Sequence, residues 1–97
     1  MSQPRSTPCY CYIVECADGS YYTGWTTNPE QRIRAHNAGR GARYTRSRRP
    51  VRLVLLEPQA DRVSAMKREH AIKSMTRARK TKIIDAPTKS ARGTKRR

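Results

Sequence analysis

The sequence predicts an α+β fold with its elements in the order β-β-α-β-α-α. Three observations predict it. Two runs rich in β-branched and aromatic residues, Cys9 to Cys16 and about Tyr21 to Thr26, are joined by Ala17-Asp18-Gly19-Ser20, and Asp-Gly is the strongest short hairpin signal. Asn28-Pro29 then opens a helical pattern. A further apolar run, Val51 to Glu57, is followed by two segments with helix-start residues at Asp61 and Thr76.

Each element has a local reason. The first two strands should pair antiparallel, which places Tyr12 and Tyr22 in one neighbourhood. Asn28 suits the N-cap and Pro29 the first helical position, and Gln31 completes a capping box. The first helix should run from Pro29 to about Ala38, with Ile33 and Ala35 on one narrow buried side and Gly39 and Gly41 ending it. Gly39 to Pro50 reads as a basic loop. Val51 to Glu57 is apolar apart from Arg52, which predicts burial on both faces in the middle of a small sheet, and Pro58 should end it. The second helix should span Arg62 to Met75 and the third Arg77 to Ile84. The predicted organisation is a loose lead-in over 1–8, one domain over 9–85, and a basic disordered tail over 86–97.

Composition narrows the partners. Ninety-seven residues without a phenylalanine allow one small core. Twenty-two Lys and Arg against seven acids leave a net charge of +15, and nucleic acid is the first partner to consider. Eight arginines and no acid lie between Arg32 and Arg52. Ordinary solvated surfaces mix the two signs, so Arg40, Arg43, Arg46, Arg48 and Arg49 are candidate nucleic-acid contacts. No apolar run approaches the ~20 residues that span a bilayer, and no signal peptide is visible; the expected place is the cytoplasm, with no membrane partner. Cys9, Cys11 and Cys16 share one predicted strand and read as small apolar residues, since no second pair stands at a zinc-like spacing.

The residues that could do chemistry follow from position. Ala65, Met66, Glu69, Ile72 and Met75 fall on one stripe of the second helix. An acid amid a packing face needs a cation or a metal. A salt bridge to one of the many arginines is the bland reading, and a magnesium ligand the functional one, because magnesium often takes only one or two protein carboxylates. Arg32 is either a solvated helix residue or a clamp whose guanidinium matches phosphate bidentately. Tyr12 and Tyr22 are half-buried strand tyrosines, or else a pair of which one works on a water. A working tyrosine needs its pKa of about 10 lowered, a direction in which arginines and a divalent ion push. His36 ends its helix, where it either favours the dipole or serves as a nearby acid or base. Gly24 lets backbone and phosphate approach.

Cys11-Tyr12-Ile13, Tyr22-Thr23-Gly24, Arg32 ten residues on and Glu69 in a later helix together resemble the GIY-YIG nuclease superfamily. The resemblance is to its small stand-alone (YhbQ-like) bacterial members, whose His-Asn, Gly-x-Gly-Ala-x-Tyr-Thr-Arg and Arg-Arg-Pro runs look like residues 36 to 50. It covers about Tyr10 to Ile84. It implies a three-stranded antiparallel sheet flanked by helices and metal-dependent cleavage of DNA. By position, Tyr12, Tyr22 and Arg32 match the motif residues, Glu69 the metal-binding acid, and His36 a histidine frequent in this helix. The first motif here reads Cys-Tyr-Ile, Thr23 stands where isoleucine is common, and no asparagine follows Asn37 where excision-repair relatives carry one.

The function expected is therefore a Mg2+- or Mn2+-dependent endonuclease, selecting DNA by structure rather than sequence, in repair or recombination. The rival is a non-catalytic DNA- or RNA-binding module on the same fold. A domain this small, with no large recognition module, would draw on a protein partner or a homodimer for targeting.

Overall fold

The structure, a computed structural model, describes residues 8–86. The lead-in over 1–8 and the tail over 86–97, apart from Pro8 and Ala86, lie outside the described residues. Three strands, β1 (Cys9–Glu15), β2 (Tyr21–Thr26) and β3 (Arg52–Gln59), form one antiparallel sheet in the order β2-β1-β3. Four helices accompany it: α1 (Pro29–Asn37), α2 (Arg43–Arg46), α3 (Arg62–Lys73) and α4 (Arg77–Asp85). The α+β class and the element order hold, with α2 added inside the segment read as a loop.

The hairpin forms as its turn residues require. Gly19 takes φ 86°, its N–H donates to Cys16, and Asp18 Oδ1 accepts from both the backbone and the hydroxyl of Ser20. Tyr12 then lies opposite Gly24, and Val14 opposite Tyr22. Alternation sends Tyr12, Val14 and Cys16 to one sheet face, where they pack with Val51, Tyr22 and Ile33 of α1. Cys11, on the other face, meets α3, its thiol donating to the Ala65 carbonyl at 3.2 Å.

The central strand is β1, not the Val51–Glu57 run. β1 is buried almost throughout, whereas Leu53 and Leu56 of β3 remain 37% and 40% exposed. Two physical reasons decide this. Pro58 lacks an N–H and is confined to edges, so it sits inside β3 rather than ending it. The β1–β3 register also shifts between Ile13 and Val14, which pair with Leu55 and Leu53. A bulge of this kind interrupts the alternation, so the continuous apolar run does not signal two buried faces.

Helix ends carry the expected chemistry with one change. Asn28 Oδ1 accepts from Gln31 N–H, but the Asn28 N–H donates to Thr26 Oγ1 instead of a glutamine side chain. Gly39, at φ 85°, closes α1: its N–H bonds the His36 carbonyl and Arg40 N–H the Ala35 carbonyl, the paired bonds of a Schellman end. Asn37 clamps α1 to the start of β3, donating to the Val51 carbonyl and accepting from the Val51 N–H. α3 ends at Lys73 rather than Met75. Its buried line is Ala65 and Ile72, while Met66 turns outward at 49% exposure.

Candidate active site

Tyr12 is the centre of a directed hydrogen-bond chain. Thr45 Oγ1 donates to the Ala42 carbonyl at 3.2 Å and lies 2.8 Å from His36 Nδ1. With its own proton committed, the threonine hydroxyl accepts, so His36 carries its proton on Nδ1 and leaves Nε2 as an acceptor. Tyr12 Oη lies 2.8 Å from that Nε2 and donates to it. Arg32 Nε in turn donates to Tyr12 Oη at 3.3 Å, and Arg32 Nη2 to the Gly41 carbonyl at 2.9 Å. Tyr12, His36 and Thr45 are all fully buried.

Backbone close approach makes this chain fit. A Cβ on Gly24 would stand 2.6 Å from Tyr12 Oη, so the glycine is required by the tyrosine ring lying over it rather than by a phosphate alone. A Cβ on Gly41 would land on His36 Nδ1 and 2.7 Å from His36 Cα. α2 exists to bring Thr45 under the histidine, and Gly41 lets the chain pass over it.

Burial acts on the two titrating members in opposite senses. It pushes the Tyr12 phenol above its ordinary 10, and the Arg32 guanidinium offsets this only in part; Tyr22 and Glu69 raise it further. Desolvation of a sealed phenol thus outweighs one nearby cation, so Arg32 alone does not give Tyr12 the lowered pKa that the working tyrosine of the pair needs. Burial, aided by the Arg32 charge, holds His36 below its ordinary 6.5, so it is neutral at neutral pH.

Tyr22 occupies the accessible side. Its ring meets His36 edge-on at 5.3 Å and stacks on Tyr44 at 5.9 Å. The Lys73 ammonium is 5.7 Å from the Tyr22 centroid and 3.1 Å from Glu69 Oε2. Glu69 therefore sits between buried Ala65 and Ile72 on its helix but emerges at a rim, its side chain 22% exposed and paired to Lys73 rather than to an arginine. Among the described residues no group of three or more His, Cys, Asp or Glu could hold a metal ion. An ion here would rest on the one carboxylate and fill its shell with water and phosphate oxygens, which suits magnesium or manganese. The Glu69–Lys73 pair is partly exposed and so weak.

The loop arginines divide. Arg48 is a brace: Nε donates to Asp18 at 3.1 Å, Nη1 to the Tyr44 carbonyl, and its guanidinium lies 4.0 Å over the Tyr44 ring. Arg49 donates to the carbonyls of Arg46 and Asn37. Arg40, Arg43 and Arg46 are exposed, with no side-chain partner among the described residues. Sequence reasoning missed Thr45, Tyr44 and Lys73. Thr45 and Tyr44 stood in the Tyr-Thr-Arg run but were passed over in favour of its charges, and Lys73 stood four residues past Glu69, the spacing of a helical ion pair.

A family model described as the GIY-YIG catalytic domain matches residues 8–82. A UPF0213 protein of Haloquadratum walsbyi is 54% identical over 79 residues, covering 81% of this chain and 89% of its own. A UPF0213 protein of Staphylococcus haemolyticus is 54% identical over 76 residues, covering 78% and 93%. Among solved structures, the solution NMR structure of a UPF0213 protein from Bacillus halodurans is 43% identical with a TM-score of 0.52, covering 79% of this chain and 82% of that one. A second solution structure, of an E. faecalis protein, is 41% identical with a TM-score of 0.55, covering 87% and 88%.

Proposed function

The chain belongs to the GIY-YIG family, and from that premise we propose that it is a divalent-metal-dependent endonuclease. It would hydrolyse DNA phosphodiesters by the shape of the DNA, in repair or recombination. The observation that carries the reading is the chain from Thr45 through His36 and Tyr12 to Arg32, set beside a partly exposed Tyr22 and a carboxylate at the rim.

In this reading Tyr22 is the tyrosine that meets the attacking water, because it is accessible while Tyr12 is sealed. Its phenol oxygen accepts a hydrogen bond from that water and aims it. Arg32 has two nitrogens spent on Tyr12 and Gly41, which fix its direction, and Nη1 left for the phosphate. Its charge is worth most when extra negative charge develops on phosphorus. Tyr12 and His36 are positioning residues that act through Arg32 and Tyr22. Glu69 would hold Mg2+ or Mn2+, which when bound supplies charge neutralisation at the scissile phosphate. One water is consumed: its hydroxyl ends on phosphorus, one phosphorus–ester oxygen bond breaks, and the remaining proton ends on the leaving alcohol.

The test is a metal-titrated nuclease assay on branched, flapped and single-stranded DNA with matching RNA controls. Wild type should cut DNA only with a divalent ion. Glu69→Ala should lose cleavage and keep binding, and Arg32→Ala should lose about 100-fold or more. Full cleavage by Glu69→Ala sinks the metal assignment. Tight metal-free binding with no cutting on any substrate would establish the non-catalytic module instead.

A further inference from the structure

Two arginines without a side-chain partner among the described residues, Arg34 and Arg40, line one cleft together with Arg32. This cleft of about 600 Å3 runs along the outer side of α1. Its floor is the stripe Gln31, Ala35 and Ala38, which successive turns of the helix bring into line. At the helical repeat Arg34 stands roughly 60° to one side of Gln31 and Arg32 roughly 100° to the other. Arg40, just past the Gly39 turn, also lines the cleft, and no acidic residue does. The two alanines keep the floor low, so the guanidiniums form walls rather than a crowded ridge.

Pairing separates these arginines from some of their neighbours, while Arg43 and Arg46, likewise without a side-chain partner among the described residues, lie outside the cleft lining. Arg48, Arg52 and Arg68 face carboxylates, and Arg49 is tied to carbonyls. Arg34 and Arg40 have no side-chain hydrogen bond or ion pair within the described residues. Arg32 belongs to both places: its Nε holds Tyr12 and its side chain lines the cleft. Three like charges brought together without a counter-charge repel, a cost that an anionic occupant removes.

We propose that this cleft holds the sugar–phosphate backbone of one nucleic-acid strand leading away from the phosphate at Arg32, with Arg34 and Arg40 each neutralising one further phosphate. This rests on the nuclease reading and deepens it, by giving the substrate strand a direction across α1. The contacts lie on the backbone, so they set register and orientation without reading sequence.

The test is equilibrium binding of the full-length protein to single-stranded and duplex DNA oligonucleotides and to matched RNA. Binding is measured in chelator over a range of salt. Arg34→Gln with Arg40→Gln removes two charges from the cleft. Lys67→Gln with Arg79→Gln removes two from α3 and α4, which pack on the opposite sheet face. Each lost phosphate contact should lower the slope of log K against log salt by about 0.9 on duplex or about 0.7 on single strand. The cleft double variant should therefore lose about 1.8 or about 1.4. The control double variant should stay within a few tenths of wild type. Equal losses in the two variants would mean net charge alone is at work and would overturn the cleft, whether or not the protein cuts DNA. So would an unchanged slope in the cleft variant. A lost slope with no cleavage under any metal condition leaves the cleft standing and removes the nuclease instead. A larger loss on RNA than on DNA names RNA as the strand it takes.

Discussion

At the scale of single residues, the side chain that decides most is the uncharged Thr45. Its hydroxyl has one proton, given to Ala42, and that choice fixes which nitrogen of His36 carries a hydrogen. Replacing it with valine keeps the shape and removes the acceptor. A buried donor left unsatisfied costs about 1–3 kcal/mol, and the freed His36 can adopt the other tautomer, in which Nε2–H donates to Tyr12 Oη and the Tyr12 proton loses its acceptor. Thr45→Val should then show a shifted His36 tautomer by 15N NMR and lowered stability, and Thr45→Ser should restore both. Retention of the Nδ1–H tautomer in the valine variant would contradict this account. Glu69 stood out in the sequence as an acid on a packing face, whereas Tyr12, Tyr22 and Arg32 are ordinary strand and helix residues that stood out only through the ordered motifs of the resemblance. Thr45 was not, because a threonine among five loop arginines carries no pattern until α2 folds beneath α1.

Elements, unlike residues, were legible wherever a turn or cap announced them. Asp18-Gly19, Asn28-Pro29, Gly39, Asp61 and Thr76 all sit where their chemistry places them. What misled was β3, whose apolar run looked central until Pro58 and the bulge are considered together. α2 was hidden because a four-residue helix has too little periodicity to read. Its placement depends on Gly41, a residue expected only to help end α1. Gly41→Ala would drive a methyl into His36, a misfit of the overpacking kind that costs about 1–3 kcal/mol. It should lower the urea midpoint and disturb the His36 and Tyr12 resonances together. An equally small loss at Gly19→Ala is not expected to touch those resonances, since a Cβ there meets nothing within 4 Å.

For the whole molecule, the buried Tyr12–His36 pair sets a pH window. His36 has a folded pKa below its unfolded 6.5, so between the two values the unfolded chain binds more protons. Its contribution is present above 6.5 and is lost as pH falls through the folded value. Tyr12 has a folded pKa above 10, so its contribution is complete below 10 and is lost as pH rises through the folded value. Asp18 and Asp61, both held below 3.8 by hydrogen bonds from Ser20 and Ser64, add a further loss at still lower pH. Denaturant melts across pH should show a plateau from about 6.5 to 9, its upper end set first by Cys11 and Cys16, whose thiols burial holds above their unfolded 9.0, with the shoulder just below 6.5 missing in His36→Gln. Persistence of that shoulder in the variant would assign it elsewhere.

The order β2-β1-β3 has a consequence for how the site opens. β1 alone is hydrogen-bonded on both sides and covered on both faces, so its amides are released only with the fold as a whole. Tyr12 is therefore anchored to the last part of the molecule to breathe. Glu69 rides on α3, whose backbone bonds are its own and whose partly exposed Lys73 pair can part at little cost. The two ends of the site thus keep different time: a tyrosine end released only with the whole fold, and a carboxylate whose ion pair can part by side-chain motion alone while Ala65 and Ile72 keep α3 packed.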